Sequence, residues 1–187
     1  MSSAVLKPCV VWLTGRPVAG KSTIATIINE RLVRIGCHTA LLDGDEICRG
    51  LCGDLGFSDA DRIENVRRVA EVARLMVDAN LVVVVALISP FSAERTLARN
   101  LVPPGRFCEV FVDTPLEVAE QRDPKGLYAR ARRGELPKFT GIDSPYEPPE
   151  APEVRIDTTS LSPHQGASLV IDYLEASFSD RPVAGTR

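Results

Sequence analysis

A short segment near the amino terminus has the residue types and spacing of a phosphate-binding loop. It matches the pattern G-x-x-x-x-G-K-[ST] and consists of Gly15, Arg16, Pro17, Val18, Ala19, Gly20, Lys21 and Ser22. In such a loop the backbone N–H groups surround the phosphates of a nucleotide, the lysine reaches the β- and γ-phosphates, and the following hydroxyl ligates Mg²⁺. Lys21 is therefore a candidate catalytic residue, Ser22 a candidate Mg²⁺ ligand, and the loop through Thr23 a candidate ATP site.

Two residues limit the freedom of this loop. Pro17 has no N–H group to offer to a phosphate, and the β-branched Val18 disfavours a positive φ. A chance match in a glycine-containing turn is the alternative interpretation. The apolar run before the loop and the helical spacing after it favour the phosphate loop, because this motif follows a strand and opens a helix.

A second group of chemically active side chains is Asp43-Gly44-Asp45, which follows the next apolar run. Near bound Mg-ATP, one carboxylate could orient or deprotonate an attacking hydroxyl group, and the other could hold a metal-bound water. The alternative interpretation is a plain turn, since Asp-Gly is favoured in turns.

The start of a later helical pattern is strongly charged. At helical spacing Arg62 and Asn65 share one face, and Glu64 and Arg68 share another. Arginines beside a phosphate loop suit anionic substrates, because the guanidinium fork pairs with phosphate or sulfate oxygens. A solvated helix surface is the alternative interpretation.

Apolar runs and helical patterns alternate along the chain. The predicted strands lie at residues 9–14, 40–42, 81–88, 107–112 and 154–156. The predicted helices lie at residues 22–35, 63–78, 92–101, 115–122 and 164–177. This alternation predicts an α/β fold of the P-loop NTPase type, with three α/β/α layers and a mainly parallel sheet. Ligands of such sheets bind beyond the carboxyl ends of the strands, where Gly15, Asp43, Ser89 and Asp113 come.

The remaining stretches are less regular. Residues 123–152 are rich in proline, glycine and charge, and they are too long for a simple connection, which predicts a mobile lid. Residues from about 178 to 187 are expected to form a frayed tail. The length of 187 residues suggests a single domain over residues 1–187.

Composition narrows the classes of function. The formal net charge of −3 gives no reason to expect binding to nucleic acid or to an anionic membrane surface. The apolar run 81–88 is too short to cross a bilayer. Five cysteines, an odd number with no signal peptide before them, indicate reduced thiols in a cytoplasmic protein.

Together these motifs resemble those of the adenylyl-sulfate kinases (APS kinases), which use ATP to phosphorylate the 3′-hydroxyl of adenosine 5′-phosphosulfate (APS), giving PAPS and ADP. The resemblance runs from about Val10 to Tyr173. The segments that carry it are 43–45 (DGD), 54–58 (DLGFS), 61–68 (DRIENVRR), 88–91 (ISPF), 111–115 (FVDTP), 122–128 (RDPKGLY) and 139–147 (FTGIDSPYE). The similarity implies a kinase that uses ATP and Mg²⁺, takes a small nucleotide as its acceptor and forms a homodimer.

The resemblance also implies roles for single residues. Asp45 matches the proposed catalytic base, which leaves Asp43 to hold Mg²⁺ through water. Ser89 matches the serine to which a phosphoserine intermediate is sometimes attributed; in-line transfer to a bound hydroxyl needs no covalent step, so substrate contact is the preferred role. Substrate-binding roles are also implied for Phe57, Arg62, Asn65, Ile88, Lys125 and Phe139. The two phenylalanine rings would sandwich the substrate adenine, and the lysine of the lid would approach the anionic ligands on closure.

The sequence departs from the family pattern in the middle of the phosphate loop and on the substrate side. The substrate-side residues that differ from the usual ones are Glu46, Cys48, Cys52, Phe91 and Ser92. Cys48 and Ser92 each stand where the family has an arginine.

Three hypotheses follow from this pattern. The first is an APS kinase. The second is a sister kinase that phosphorylates a sugar hydroxyl of another activated nucleotide, because losing charge-assisted contacts at Cys48 and Ser92 can redirect specificity by ~10²-fold or more. The third is a nucleotide-binding module without catalysis, which only the altered phosphate loop supports.

Overall fold

The sheet at the centre of the protein has five parallel strands. A computed structural model describes residues 6–179. The strands are β1 (Val10–Thr14), β2 (Thr39–Asp43), β3 (Val82–Ala86), β4 (Phe107–Asp113) and β5 (Val154–Asp157). They pair in the order β2-β3-β1-β4-β5, and every pairing is parallel. All five therefore end at the same edge of the sheet, which confirms the predicted parallel arrangement.

Seven helices occur in the described part of the chain. They are α1 (Lys21–Arg34), α2 (Gly44–Arg49), α3 (Asp59–Asp78), α4 (Ser92–Asn100), α5 (Leu116–Arg122), α6 (Leu127–Arg132) and α7 (Pro163–Phe178). Among residues 6–179, none of these helices combines the length and the apolar character needed to cross a membrane.

Strand β3 shows why the sheet needs cover on both faces. Val82 and Val84 belong to one buried core, whereas Val83 and Val85 belong to another. Successive side chains of a strand point to opposite faces, so an unbroken valine run is stable only where both faces are covered. The predicted buried strand is confirmed, although it is shorter at both ends than its apolar run.

The two cores lie on opposite faces of the sheet. Residues that pack α1 and α7 against one face are Ile24, Ile28, Leu32, Val170, Ile171 and Leu174. Residues that pack α3 and α4 against the other face are Val66, Val69, Ala70, Ala73, Val77 and Ala98. The fold is therefore a three-layer α/β/α arrangement, as the alternation of strands and helices predicts.

Helix α3 begins four residues before its apolar pattern. Ser58 is the N-cap: its hydroxyl oxygen accepts a hydrogen bond from the N–H of Asp61, whose carboxylate accepts one from the N–H of Ser58. This capping box satisfies N–H groups that the first turn of a helix leaves free. The predicted start at Ile63 is late because the first turn carries charges rather than periodic apolar residues.

Helix α2 has no counterpart in the sequence prediction. Asp43 is its N-cap and accepts a 3.0 Å hydrogen bond from the N–H of Asp45. Ile47 is its buried residue. A helix of one and a half turns with a single buried side chain is too short to give a periodic signal.

The segment 123–152 contains more structure than its composition indicates. Helix α6 lies within it and begins after Gly126, which has φ 65°. The carboxylate of Asp123 accepts hydrogen bonds of 2.7 and 3.1 Å from the N–H groups of Leu127 and Ala129. The mobility of this segment stays a prediction.

The first two residues of the predicted tail, 178 and 179, belong to the folded part of the protein. Phe178 is buried in α7, and its carbonyl oxygen accepts a 2.7 Å hydrogen bond from the N–H of Lys7. Ser179 forms a bridge with Leu6. The rest of the predicted tail, residues 180–187, lies outside the described residues.

Candidate functional site

Two glycines shape the phosphate loop between β1 and α1. A Cβ atom on Gly15 would lie 2.5 Å from the carbonyl oxygen of Val112 in β4, so a larger residue does not fit. Gly20, at the start of α1, has φ 99°, in the left-handed region that favours glycine. The chain thus passes from the end of a strand into the amino terminus of a 14-residue helix, where free N–H groups and the helix dipole favour an anion.

The loop accommodates both residues that limit its freedom. Pro17 is buried, and its carbonyl oxygen accepts a 3.0 Å hydrogen bond from the hydroxyl group of Tyr128 in α6. The N–H of Ala19 donates a 3.2 Å hydrogen bond to the carbonyl oxygen of Arg16. Val18 adopts φ 63°, a conformation in which a β-branched side chain is strained.

We expect Val18→Gly to raise the free energy of unfolding by about 1 kcal/mol. Relief of the left-handed conformation is worth about 1–3 kcal/mol, and the greater freedom of glycine in the unfolded chain offsets about 0.5–1 kcal/mol of it. The matched control is Val33→Gly, at an exposed position in the last turn of α1, which should destabilise by about 0.5 kcal/mol because glycine is a poorer helix former than valine. Urea denaturation measures both. Equal losses in the two variants would contradict the strain assigned to Val18.

The ammonium group of Lys21 is buried inside the loop. Its Nζ donates hydrogen bonds of 2.9 and 2.8 Å to the carbonyl oxygens of Gly15 and Arg16. Burial lowers the pKa of Lys21 to about 7, and the nearby carboxylates of Asp43 and Asp45 act in the opposite direction. Both aspartates therefore lie close enough to Lys21 for their negative charges to raise its pKa.

Asp43 and Asp45 reach the site from the end of β2. Asp43 is the last residue of that strand and caps α2, whereas Asp45 is exposed in the first turn of α2. The Nζ of Lys125 lies 2.5 Å from Oδ2 of Asp45. This ion pair connects the segment 123–152 to the candidate base. Since both side chains are more than half exposed, the pair adds little to stability.

Ser89 and Ile88 form part of the wall beyond β3. Ser89 is buried with φ 37°, and its Oγ accepts a 3.1 Å hydrogen bond from Nε1 of Trp12. Oγ1 of Thr14, at the end of β1, donates a 2.7 Å hydrogen bond to the carbonyl oxygen of Ile88. These bonds hold the turn after β3 beside the phosphate loop.

Arg62 joins the two segments that carry the predicted aromatic pair. Its Nε donates a 3.3 Å hydrogen bond to the carbonyl oxygen of Phe57. Its Nη1 donates a 2.7 Å hydrogen bond to Oγ1 of Thr140, and its Nη2 donates to the carbonyl oxygen of Lys138. Phe139 lies between these last two residues, so a single guanidinium group ties both phenylalanine segments together.

The two phenylalanine rings have different surroundings. Phe57 is 74% exposed. Phe139 is half-buried and packs edge-on against Tyr128, with ring centroids 5.0 Å apart. An exposed aromatic face on one segment and a supported one on the other are compatible with stacking on a nucleobase.

Asn65 lies against one of the positions that depart from the family pattern. Its Nδ2 donates a 3.9 Å hydrogen bond to Sγ of Cys48, which is exposed in α2. Cys48, which stands where the resemblance implies an arginine, therefore lies directly beside a predicted substrate-binding residue.

The other arginines at the start of α3 are engaged within the protein. Arg67 pairs with Glu64 at 2.7 Å, and Arg68 pairs with Glu64 at 2.9 Å and with Asp54 at 2.6 Å. Arg67 and Arg68 therefore fit a charged helix surface better than a role in binding an anionic substrate. Arg62 is the arginine of this cluster that reaches the site.

Tyr146 and Arg95 received no role in the sequence prediction, although both contact residues of the site. The hydroxyl oxygen of Tyr146 lies 3.0 Å from Oγ1 of Thr14. The Tyr146 ring lies 5.4 Å from the guanidinium carbon of Arg16 and 6.0 Å from that of Arg95. Arg95 is buried and pairs with Glu109 at 2.8 Å. The available signal was weak: Tyr146 belongs to a segment that carries the family resemblance, but nothing in its spacing indicates these partners.

The oxygen atoms beside the phosphate loop suit Mg²⁺. Ser22 offers an exposed hydroxyl in the first turn of α1, and Asp43 offers a carboxylate. Mg²⁺ prefers oxygen ligands and usually takes one or two from the protein, with the rest from phosphate and water. Among residues 6–179, no group of three or more His, Cys, Asp or Glu side chains could hold a metal by itself. The residues present therefore fit a Mg²⁺ ion that binds together with a nucleotide.

Comparison with known proteins agrees with this geometry. The family model for adenylylsulphate kinase matches residues 7–157. An adenylyl-sulfate kinase of Aeromonas hydrophila is 63% identical over 150 residues, which cover 80% of this chain and 76% of that protein. The bifunctional enzyme NodQ of Rhizobium sp. is 55% identical over 178 residues. That match covers 95% of this chain but only 27% of NodQ.

A solved structure is also similar over nearly its full length. It is the Mycobacterium tuberculosis APS kinase CysC in complex with AMPPNP and APS, which is 46% identical in sequence and superposes with a TM-score of 0.86. The match covers 91% of this chain and 99% of the CysC chain. With the family model matched over most of its residues and relatives above half identity, the chain belongs to the adenylylsulphate kinase family.

Proposed function

We propose that this protein is an ATP-dependent kinase that phosphorylates the 3′-hydroxyl of APS, giving PAPS and ADP. The observation that carries the proposal is the buried ammonium group of Lys21 in the phosphate loop, with the carboxylates of Asp43 and Asp45 close enough to influence its pKa. The family membership and the similarity to a kinase solved with AMPPNP and APS support the same conclusion.

The phosphate loop, residues 15–23, would bind the triphosphate of ATP. Two of the three N–H donors of Lys21 are directed to Gly15 and Arg16, which orients the ammonium group inside the loop. A bound triphosphate would raise the pKa of Lys21 and keep it charged, so that it stabilises the transferring phosphoryl group. Mg²⁺, held by Ser22 and through water by Asp43, would neutralise charge on the β- and γ-phosphates.

Asp45 would orient the acceptor hydroxyl and take its proton as the oxygen attacks the γ-phosphorus. The ion pair with Lys125 connects this carboxylate to the segment 123–152. We infer no covalent step at Ser89, because its hydroxyl oxygen is buried and accepts a hydrogen bond from Trp12. Direct in-line transfer to a bound hydroxyl needs no such step.

The acceptor nucleotide would bind between α3 and the segment 123–152. Phe57 and Phe139 would stack on its adenine, and Arg62, Asn65 and Lys125 would contact its polar and anionic groups. Ile88 and Ser89 would line the wall beside it. The hydrogen bonds that Arg62 makes to both aromatic segments support this assignment, because they set the distance between the two segments.

We also propose a single kinase domain over residues 1–187, a lid role for residues 123–152, and a homodimer in the cytoplasm. These follow from the family resemblance and from the contacts that the segment makes with the phosphate loop and Asp45. Light scattering on purified protein tests the homodimer, for which a molar mass twice that of one chain is expected.

The function is tested by incubating the purified protein with Mg-ATP and APS and separating the nucleotides by ion-pair chromatography. PAPS and ADP should form in equal amounts, and EDTA should stop the reaction. Absence of PAPS above the no-enzyme background would contradict the proposal.

A sister kinase with another nucleotide acceptor is the second candidate. The contact between Asn65 and Cys48, at a position where the family has an arginine, favours it. A panel of adenine nucleotides that differ in the group on the 5′-phosphate separates the two candidates. A kcat/KM for another nucleotide about 10²-fold above that for APS would support the sister kinase.

A further inference from the structure

Tyr128 is a buried tyrosine of α6 that the proposed chemistry does not use. It is 1% exposed, and its hydroxyl group donates a 3.0 Å hydrogen bond to the carbonyl oxygen of Pro17 in the phosphate loop. Burial raises the pKa of Tyr128 to about 12, so the hydroxyl group keeps its proton and stays a donor at neutral pH. A buried tyrosine needs a partner for its hydroxyl group, and this one finds it in a loop that lies 111 residues away along the chain.

The position of Tyr128 is fixed by its own segment. Its chain neighbours Leu127 and Ala129 donate hydrogen bonds of 2.7 and 3.1 Å from their N–H groups to the carboxylate of Asp123. Its ring packs edge-on against Phe139, with ring centroids 5.0 Å apart. The hydroxyl group therefore has a defined position, from which it holds the phosphate loop.

The hydrogen bond to Pro17 determines the direction of the next N–H group. No peptide bond among residues 6–179 is cis, and in a trans peptide unit the C=O of Pro17 and the N–H of Val18 point in opposite directions. Since Tyr128 holds this C=O, the N–H of Val18 points away from α6. Within the described part of the chain this N–H has no hydrogen-bond acceptor, whereas that of Ala19 is used inside the loop. The Val18 N–H is therefore a free donor in a loop whose N–H groups bind phosphate.

This free donor belongs to the strained residue of the loop. Val18 has φ 63°, a conformation that a β-branched residue keeps only where its surroundings hold it. The orientation of the preceding peptide unit depends on ψ of Pro17 and φ of Val18, so a bond that holds its C=O resists any change of that φ. Pro17 has no N–H group, which makes the donor of Val18 more important for the loop.

We propose that Tyr128 is a positioning residue for ATP, whose hydroxyl group holds Val18 in its left-handed conformation and so directs the Val18 N–H toward the phosphates. The inference rests on the proposed function for the binding of ATP in the phosphate loop. It assigns to Tyr128 no contact with the reacting atoms. Because the ring of Tyr128 is the part that contacts Phe139, the hydroxyl group should affect the binding of ATP and not that of the acceptor.

Calorimetry of Tyr128→Phe with two ligands tests the inference. The Kd for AMPPNP with Mg²⁺ should rise several-fold, up to about tenfold, because one hydrogen bond that orients a phosphate donor is lost. The Kd for APS, measured with saturating Mg-ADP, should not change, because phenylalanine keeps the ring beside Phe139. The matched control is Tyr173→Phe in α7, where the tyrosine also packs edge-on against a phenylalanine, Phe178. Both Kd values should stay at the wild-type level in the control.

A Val18→Gly background gives a readout that a merely structural role of Tyr128 would not move. Glycine adopts a positive φ without strain, so it does not depend on the hydroxyl group to stay there. With glycine at this position, Tyr128→Phe should raise the Kd for Mg-AMPPNP much less than it does with valine. An equal rise in the two backgrounds would overturn the inference.

The possible outcomes separate this inference from the proposed function. If the wild type does not bind Mg-AMPPNP, both fail. If it binds Mg-AMPPNP but forms no PAPS from APS, the proposed function fails, and the variants still decide the inference. If Tyr128→Phe leaves the Kd for Mg-AMPPNP unchanged, or raises both Kd values equally, only the inference fails.

A measurement on the wild type decides the inference should Tyr128→Phe not fold. The NMR signal of the Val18 amide proton should move downfield when Mg-ADP binds, because this free N–H then donates a hydrogen bond to a phosphate oxygen. A signal that does not move on saturation with Mg-ADP would show that the N–H held by Tyr128 is not directed toward the phosphates.

Discussion

Lys21→Met should lower kcat by about 10³-fold or more while the protein stays folded. A preorganised donor aimed at developing phosphoryl charge is worth about 3–4 kcal/mol when it is removed, and the buried ammonium of Lys21 is placed for that role. Methionine has a similar length and carries no charge. The hydrogen bonds to Gly15 and Arg16 are lost, but so is the cost of burying a cation, which is evident in the lowered pKa. Steady-state turnover with Mg-ATP and APS measures the loss.

The control for this variant is Arg34→Met, which removes an exposed cation at the other end of α1. Its turnover should equal that of the wild type. The melting temperature of Lys21→Met should lie within about 4 °C of the wild type, corresponding to about 1 kcal/mol for a chain of this size. A variant that melts normally and keeps more than a tenth of the activity would exclude a direct role for the lysine in transfer.

Asp45→Asn should lower kcat by about 10²–10⁴-fold, the usual contribution of a positioned general base. Asparagine is nearly isosteric, and the cap of α2 uses the backbone N–H of residue 45, so the helix is preserved. The ion pair with Lys125 is exposed and contributes at most about 1 kcal/mol, so the variant should fold normally. Single-turnover measurements with a saturated enzyme test the chemical step.

Asp172→Asn is the matched control, because it makes the same change at an exposed acidic residue of α7, away from the site. It should retain wild-type kcat. The Kd for an ATP analogue should be nearly unchanged in both variants, since neither carboxylate belongs to the phosphate loop. A fully active Asp45→Asn protein would show that another group accepts the proton.

The sequence predicted those features that depend on local pattern. The valine run of β3 identified a strand buried on both faces, and the spacing from Gly15 to Ser22 identified the phosphate loop. Parallel strands end at one edge, so the convergence of Gly15, Asp43 and Ser89 followed from the fold class alone. The family and the fold are confirmed, whereas the roles of single residues stay predictions.

What the sequence could not predict depends on contacts between distant segments. Arg62 looks like Arg67 and Arg68 in the sequence, yet only Arg62 bridges the two aromatic segments, because its partners lie about 80 residues further along the chain. Helix α2 escaped prediction because it has a single buried residue. The burial of Glu94 was equally hidden, since a charged residue in the first turn of a helix is normally an exposed one.

The bond between Trp12 and Ser89 gives the protein an internal optical reporter. Trp12 is the only tryptophan of the 187 residues, and it is fully buried against Phe107, with ring centroids 5.9 Å apart. Its indole N–H donates a hydrogen bond to the hydroxyl of Ser89, in the wall of the proposed acceptor site. Any ligand that shifts this wall alters the environment of a single fluorophore, so occupancy can be followed by intrinsic emission in an unlabelled wild-type sample.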